Sequence, residues 1–307
     1  MFRFSDVLTL TLVRATIRMS TPILLAALGV IVTELAAITN VGIEGIMLVS
    51  AFMAVAASYW SGSWIVGILA AVAAGVLIAA LMALIHLRFK ANVLVAGIAV
   101  NMFSLAFTRF LLVNWFGVAG SFYSPRISPI PRINLSILAA HPVLDTLFNN
   151  YNLMDYLGIV LVFVFHFLIY KTVWGLRLRF TGVHPLAVET AGVNVTVKKL
   201  QALLISGVLG GLAGAHLSLG YTTQFIENMT NGRGFIGVAA MYFGGISPIT
   251  TWLASLFFGF TEGVGARLQN LGFPSQFMLM LPYVATVVAI TFSMIRQQRR
   301  ETDKQPF

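Results

Sequence analysis

The chain has 307 residues, of which 58% are hydrophobic and 9% charged, with a mean hydropathy of +0.90 and a formal net charge of +9. A composition this apolar excludes a water-soluble globule, so the bilayer is the solvent and the expected fold is an all-α, polytopic membrane bundle. There is no cysteine, which excludes disulfides, thiolate catalysis and thiol-held metals.

Residues 1–20 carry Arg3, Asp6, Arg14 and Arg18 without an uninterrupted apolar stretch. They predict an N-terminal basic segment rather than a cleaved signal peptide. A helix needs about 20 apolar residues to cross the hydrocarbon. The runs 21–39, 43–60, 64–85, 92–116, 155–171, 201–221, a short 234–246, 250–268 and 277–295 therefore predict eight or nine membrane segments, some discontinuous, in a transmembrane domain over 21–295. The runs are continuously apolar rather than alternating, which argues against a barrel. Between them lie a Ser- and Pro-rich insertion at 117–154 and a polar loop at 172–200, and a basic tail follows at 296–307.

The stretch from Lys171 to Lys199 holds five of the 19 basic residues, Lys171, Arg177, Arg179, Lys198 and Lys199. Basic loops stay on the cytoplasmic side, so this loop and the C-terminal tail are expected inside and 117–154 outside. The net positive charge is explained by such topology and by attraction to anionic membrane lipid, and no nucleic acid is implied. Within the loop, Pro185 early, Glu189 in the middle and Gly192 at the end predict a short helix. The same count places residues 1–20, with their arginines, outside. Either the N-terminus breaks the charge rule or one of the first two apolar runs does not cross fully, and the second reading is favoured.

The expected break is 39–45, where Asn40, Gly42, Glu44 and Gly45 interrupt the second run. Unwound backbone at membrane depth is tolerated only inside protein or along a wet cavity, and transporters place substrate sites there. Glu44 exposed to hydrocarbon costs about 2.5–3.5 kcal/mol, so it should face the interior. A second break, 227–235, contains Asn228, Asn231, Gly232, Gly234 and Phe235 before a run too short to span. Paired interruptions point to a central path lined by Asn40, Glu44, Asn101, Asn231 and Phe235. The competing reading is that these side chains only satisfy one another between packed helices.

Gly232, Gly234 and Gly237 match the dinucleotide-binding glycine spacing, yet no strand precedes them and no acid follows about 20 residues on. They read as the start of a membrane helix. No phosphate-binding loop occurs, so this chain does not itself hydrolyse ATP. His86, His141, His166, His184 and His216 lack metal spacing, which predicts no metal site. His166 and His216 are expected to bond neighbouring helices, Glu262 to be paired internally, and Arg109, Arg267 and Gln269 to snorkel from helix ends. Glu34 fits either pairing or a path. Gly75 with Ala79, Gly207 with Gly211, Gly210 with Gly214 and Gly259 with Gly263 read as helix-packing faces.

The stretches Ser20–Gly29 and Asn40–Leu48 resemble the opening of bacterial ABC-importer permeases of the ribose and branched-chain amino-acid class. Arg88–Gly97, Glu227–Phe235 and Gly272–Pro282 are similar to the nucleoside-import branch. The resemblance covers roughly residues 20–295. It implies that 183–192 is the coupling helix that docks on a cytoplasmic ABC ATPase, through Gly182, His184, Pro185, Ala187, Glu189, Ala191 and Gly192. His184 and Val188 depart from the residues common in that motif. The resemblance further implies a second permease subunit of different sequence, an extracytoplasmic solute-binding protein, and inward nucleoside transport driven by ATP and Mg used by the partner. This chain is expected to bind no cofactor and to perform no catalysis. A sugar or a branched-chain amino acid is the alternative substrate. A secondary carrier would need no docking helix, and a membrane enzyme would need a catalytic constellation that is not visible.

Overall fold

The computed structural model describes residues 10–134 and 149–270, together with the isolated positions 280, 284 and 291. Residues 1–9, the part of the external insertion at 135–148, nearly all of the expected last span and the tail from 296 lie outside the described residues.

Helices dominate. In chain order they are α1 (Leu10–Glu34), α2 (Ile43–Ser61), α3 (Trp64–Ala83, prolonged by a π-turn over Leu84–Arg88), α4 (Val93–Phe116), α5 (Leu153–Lys171), α6 (Val173–Val183), α7 (Pro185–Thr190), α8 (Val195–Ala215, prolonged by a π-turn over His216–Thr222), α9 (Arg233–Phe243) and α10 (Pro248–Asn270). Four two-residue strands form two antiparallel ladders. Strand β1 (Ser121–Phe122) pairs with β4 (Phe225–Ile226), and β2 (Arg132–Ile133) pairs with β3 (Tyr151–Asn152).

Among the described residues, six helices are long and apolar enough to cross a membrane: 11–34, 43–61, 64–88, 93–116, 153–171 and 195–222. The run expected at 234–246 forms α9, with only 11 residues. The run expected at 250–268 forms α10, which spans 23 residues and carries Glu262 and Arg267. The first helix begins at Leu10 rather than at 21, so Arg14 and Arg18 stand on its first turns. Their charges mask the start of the helix in a hydropathy reading, but Arg18 is accommodated over the ring of Tyr221, 5.5 Å from its centroid.

Local chemistry fixes the helix ends. Asn92 accepts from Leu94 N and Val95 N to start α4, and Gly117, at φ 67°, ends it. Asn152 and Asp155 form a reciprocal capping box that starts α5. Thr172 and Asn194 cap α6 and α8 by one-way side-chain bonds, accepting from Gly175 N and Val197 N.

Helices α1, α2 and α8 are mostly buried, while α3, α4 and α5 expose broad apolar faces, as lipid- or subunit-facing helices do. The α3–α8 seam is made of small residues. A Cβ on Gly207 would lie 2.7 Å from Cβ of Ala79 and from the carbonyl of Gly75, so the backbones meet directly. Gly210 packs on Ile43 and Ile46, and Gly259 on Thr16 and Ser20.

Helix α8 serves as a depth gauge. Gly29 of α1 lies against Ser206, while the carbonyl of Arg18 meets His216, so α1 runs antiparallel to α8 over its whole length. One end of the bundle carries the two ladders, and the other carries α6 and α7.

Candidate functional site

The chain breaks between α1 and α2, over residues 35–42, and again over 223–232 before α9. Asn40 Nδ2 donates to Ser206 Oγ at 2.9 Å. Ser206 lies about 16 Å along α8 from Val195 at 1.5 Å per residue, which is mid-depth in a hydrocarbon core of about 30 Å. The first break thus returns from the α6 end, where Gly182 packs against Leu35 and Ala37, to the middle of the bundle. Helix α2 starts there and reaches the ladder end, where Ser58 Oγ accepts from Ser128 N. Helix α1 still covers the full depth, so the break does not move Arg14 and Arg18 away from the ladder end. Arg18 is accommodated there by its contact with the ring of Tyr221. Glu44 and Gly45, expected inside the break, lie in the first turn of α2.

The two breaks meet at Glu44. Its carboxylate accepts from Gly232 N at 2.8 Å and from Gly234 N at 2.6 Å, satisfying donors that the start of α9 leaves open. An anion at a helix N-terminus is also favoured by the helix dipole. The sequence permits this because residue 234 has no side chain: a Cβ there would sit 2.8 Å from the Glu44 backbone. Asn101 of α4 braces the same turn, accepting from Gly45 N at 2.8 Å and donating to the Val41 carbonyl at 3.0 Å. At the first residue of α9, Arg233 pairs with Glu262 of α10 at 3.2 Å.

Asn40, Glu44 and Asn101 are therefore bonded to neighbouring segments, with Asn40 0% exposed. Asn231 and Phe235 lie on the outer edge of the junction, and Phe235 is 42% exposed. Glu34 accepts from Tyr242 OH at 3.0 Å, and Arg109 pairs with Glu227 at 3.8 Å rather than standing free at its helix end.

A second buried polar cluster was not anticipated from the sequence. Asp155 Oδ1 accepts from Thr21 Oγ1 at 2.6 Å and lies 3.7 Å from His216 Nε2. His216 Nδ1 is 3.3 Å from Asn152 Nδ2, and its Nε2 is 3.2 Å from the Arg18 carbonyl. Burial pushes the neighbouring Tyr151 phenol up to about 12. The readable signal was Asn152 three residues before Asp155, at the head of a long apolar run.

At the opposite end, α6 and α7 lie in sequence after α5. Pro185 occupies the first turn of α7, His184 precedes it, and Glu189 is near its end. Ala191 follows as its C-cap, and Gly192, at φ 77°, turns the chain away with open space around it. Leu186 is 76% exposed, while Val188 is buried beneath the helix. Ala187 accepts from Ala191 N, and Gly182 closes α6 against α1. Among the described residues no group of His, Asp and Glu could hold a metal ion.

The bundle of apolar helices, with two breaks meeting at mid-depth, defines a multi-pass membrane protein. The profile of the branched-chain amino acid transport system / permease component family matches residues 12–292, and the chain belongs to that family. It is 33% identical to the guanosine ABC transporter permease protein NupQ of Bacillus subtilis, covering 96% of each chain. It is also 33% identical to the nucleoside ABC transporter permease protein NupC of Lactococcus lactis, covering 88% of each. A solved metal-chelate type ABC transporter in an inward-facing conformation shares the fold, with a TM-score of 0.53 over 91% of this chain and 84% of that one at 14% identity.

Proposed function

We propose that this chain is the permease subunit of an ABC importer that takes up nucleosides, delivered by an extracytoplasmic binding protein and driven by ATP and Mg used in a separate ATPase. The observation that carries the reading is the likeness to NupQ over nearly the full length of both chains, since it spans the breaks as well as the apolar helices. On this reading the α6–α7 end is cytoplasmic, as is the C-terminus, and the ladder end is outside. Helix α7, with Gly182, His184, Pro185, Ala187, Glu189, Ala191 and Gly192, is the coupling helix, and the exposed Leu186 is its apolar contact with the ATPase.

The path runs along the outer edge of the Glu44 junction. Asn231 and Phe235 border it, where an aromatic face and an amide suit a flat base and a polar ribose. Asn40, Glu44 and Asn101 hold that edge in place from behind. A second permease subunit, a different chain, supplies the facing wall, and segments beyond the six helices complete the eight or nine expected. Low affinity in the membrane is sufficient, because the binding protein selects the solute.

Reconstitution of the chain with its ATPase, second permease and binding protein tests the reading. ATP-dependent uptake of radiolabelled guanosine is expected. Uptake of a sugar or a branched-chain amino acid in its place would overturn the substrate, and uptake without the ATPase would overturn the transporter class.

A further inference from the structure

A broad cleft lies away from the Glu44 junction. It measures about 600 Å³ and sits between the end of α1, one face of α6 and Ile246, just beyond α9. Two membrane helices end beside it, α1 at Glu34 and α5 at Lys171, so it opens at the level where hydrocarbon gives way to water. Helix α6 is folded back on the end of α5, with Gly175 against the carbonyls of Leu168 and Ile169. The α6 face on the cleft is apolar and uncovered: Leu176, Phe180 and Val183 are all exposed.

Within this apolar frame stand one acid and one base. Glu34 uses Oε1 to accept from Tyr242, but its Oε2 is shielded from solvent without a hydrogen-bond partner. Arg179 stacks its guanidinium over Tyr170, 5.2 Å from the ring centroid, and its Nε likewise has no partner. Each residue is only half-buried and has one contact, but each leaves one shielded polar atom unpaired, and a ligand that complements both atoms recovers part of that cost. A soluble metabolite would leave Leu176, Phe180 and Val183 in contact with water. A purely anionic lipid would meet Arg179 but be repelled by Glu34.

We propose that this cleft is a binding site for a zwitterionic aminophospholipid of the leaflet on the α6 side. Arg179 holds the phosphate, Glu34 accepts from the ammonium, and an acyl chain lies along Leu176, Phe180 and Val183. The assignment of that side as cytoplasmic rests on the transporter reading above, but the site chemistry does not. Because α6 leads directly into α7, the bound lipid sets the tilt of the segment that carries the coupling helix.

The absence of cysteine makes the test direct. Val183→Cys, in the full complex purified from membranes, introduces a single thiol on this chain for a fluorophore. The complex is placed in nanodiscs of phosphatidylcholine containing acyl-chain spin-labelled phosphatidylethanolamine, phosphatidylcholine or phosphatidylglycerol. Quenching by the phosphatidylethanolamine probe is expected at a roughly tenfold lower mole fraction than by the other two, the lower end of the scale of one charge-assisted hydrogen bond. Arg179→Gln should abolish the preference, and Glu34→Gln should transfer it to phosphatidylglycerol. Leu176→Trp, which fills the cleft without touching either charge, should remove specific quenching by all three probes.

Equal quenching by the three headgroups in the otherwise native chain would overturn the site. So would a preference unchanged by both charge variants, or a thiol at 183 that resists alkylation in native membranes because a partner subunit covers the cleft. Guanosine uptake is measured in parallel on the unlabelled complex with Val183 retained, because residue 183 opens the coupling segment. An intact lipid preference without uptake would overturn the transporter reading alone.

Discussion

The two buried polar junctions of this bundle are built on opposite plans. At mid-depth, one carboxylate, Glu44, ties the start of α9 through two backbone donors, and the fit depends on one position without a side chain, Gly234. Near the ladder end, Asp155 shares its load with Thr21, Asn152 and His216 on three separate stretches of chain. The first concentrates two backbone donors on one carboxylate, with the Arg233–Glu262 pair beside it, and the second is a mesh in which loss of one strand leaves others. Concentrated polar contacts hold a short helix in one pose, while distributed ones hold long helices together through small shifts.

The comparison is most easily broken at Gly234. Gly234→Val places a Cβ within van der Waals overlap of the Glu44 backbone, which cannot swing away. A loss of about 3 kcal/mol or more is expected, at the upper end of overpacking effects. Thermal unfolding of the purified complex, followed by size-exclusion, would read it as loss of the assembled peak. An unchanged midpoint would show that α9 is not fastened where described.

Glu44→Ala comes next. It leaves two shielded N–H groups without an acceptor, at about 1–3 kcal/mol each. Glu44→Gln keeps one good acceptor and should lose about half as much, so the two variants separate charge from hydrogen bonding. Asp155→Asn should be milder, about 1–2 kcal/mol, because Thr21 retains a partner. Its signature is spatial: hydrogen exchange should quicken at Asn152–Asp155 and 216–220 while α9 keeps its protection. Faster exchange in α9 would mean that the two junctions are one unit.

The smallest structural effect is expected at Gly192→Ala, where space is open and only the positive φ resists, at about 1 kcal/mol. Insertion and assembly should survive, and the loss should fall on transport-coupled ATP hydrolysis, which the reconstituted system measures directly. Normal coupling in a well-assembled variant would remove the turn after α7 from that role.

Much of the bundle was legible because apolar length and small-residue spacing are one-dimensional signals. Gly207 with Gly211, and Gly259 with Gly263, form the seams that their spacing announces. Both breaks were legible too, since Asn and Gly clusters interrupt otherwise continuous runs. Their boundaries were not, because Glu44 looks like an interruption until the donors of Gly232 and Gly234 are beside it. Pairing across about 190 residues has no local trace. The start of α1 was hidden by Arg14 and Arg18, and Arg18 is accommodated by Tyr221, far along the chain. The Asp155 cluster escaped for the same reason: each member is ordinary alone, and only the fold brings α1, α5 and α8 together at one level.

The small ladders at the end away from α6 and α7 have a mechanical consequence. Strand β4 is sewn to β1, and Glu227 clamps the join, giving its N–H to the Gly120 carbonyl at 2.7 Å and accepting from Gly120 N at 2.9 Å while also reaching Arg109. Only a short run of turns separates that clamp from Gly232, whose N–H is held by Glu44 at mid-depth. The linkage is short and tied at both ends, like a bell-pull, with its handle at residues 117–122 on the surface and its far end on the first turn of α9. Whatever presses or lifts that handle moves α9 without having to enter the membrane.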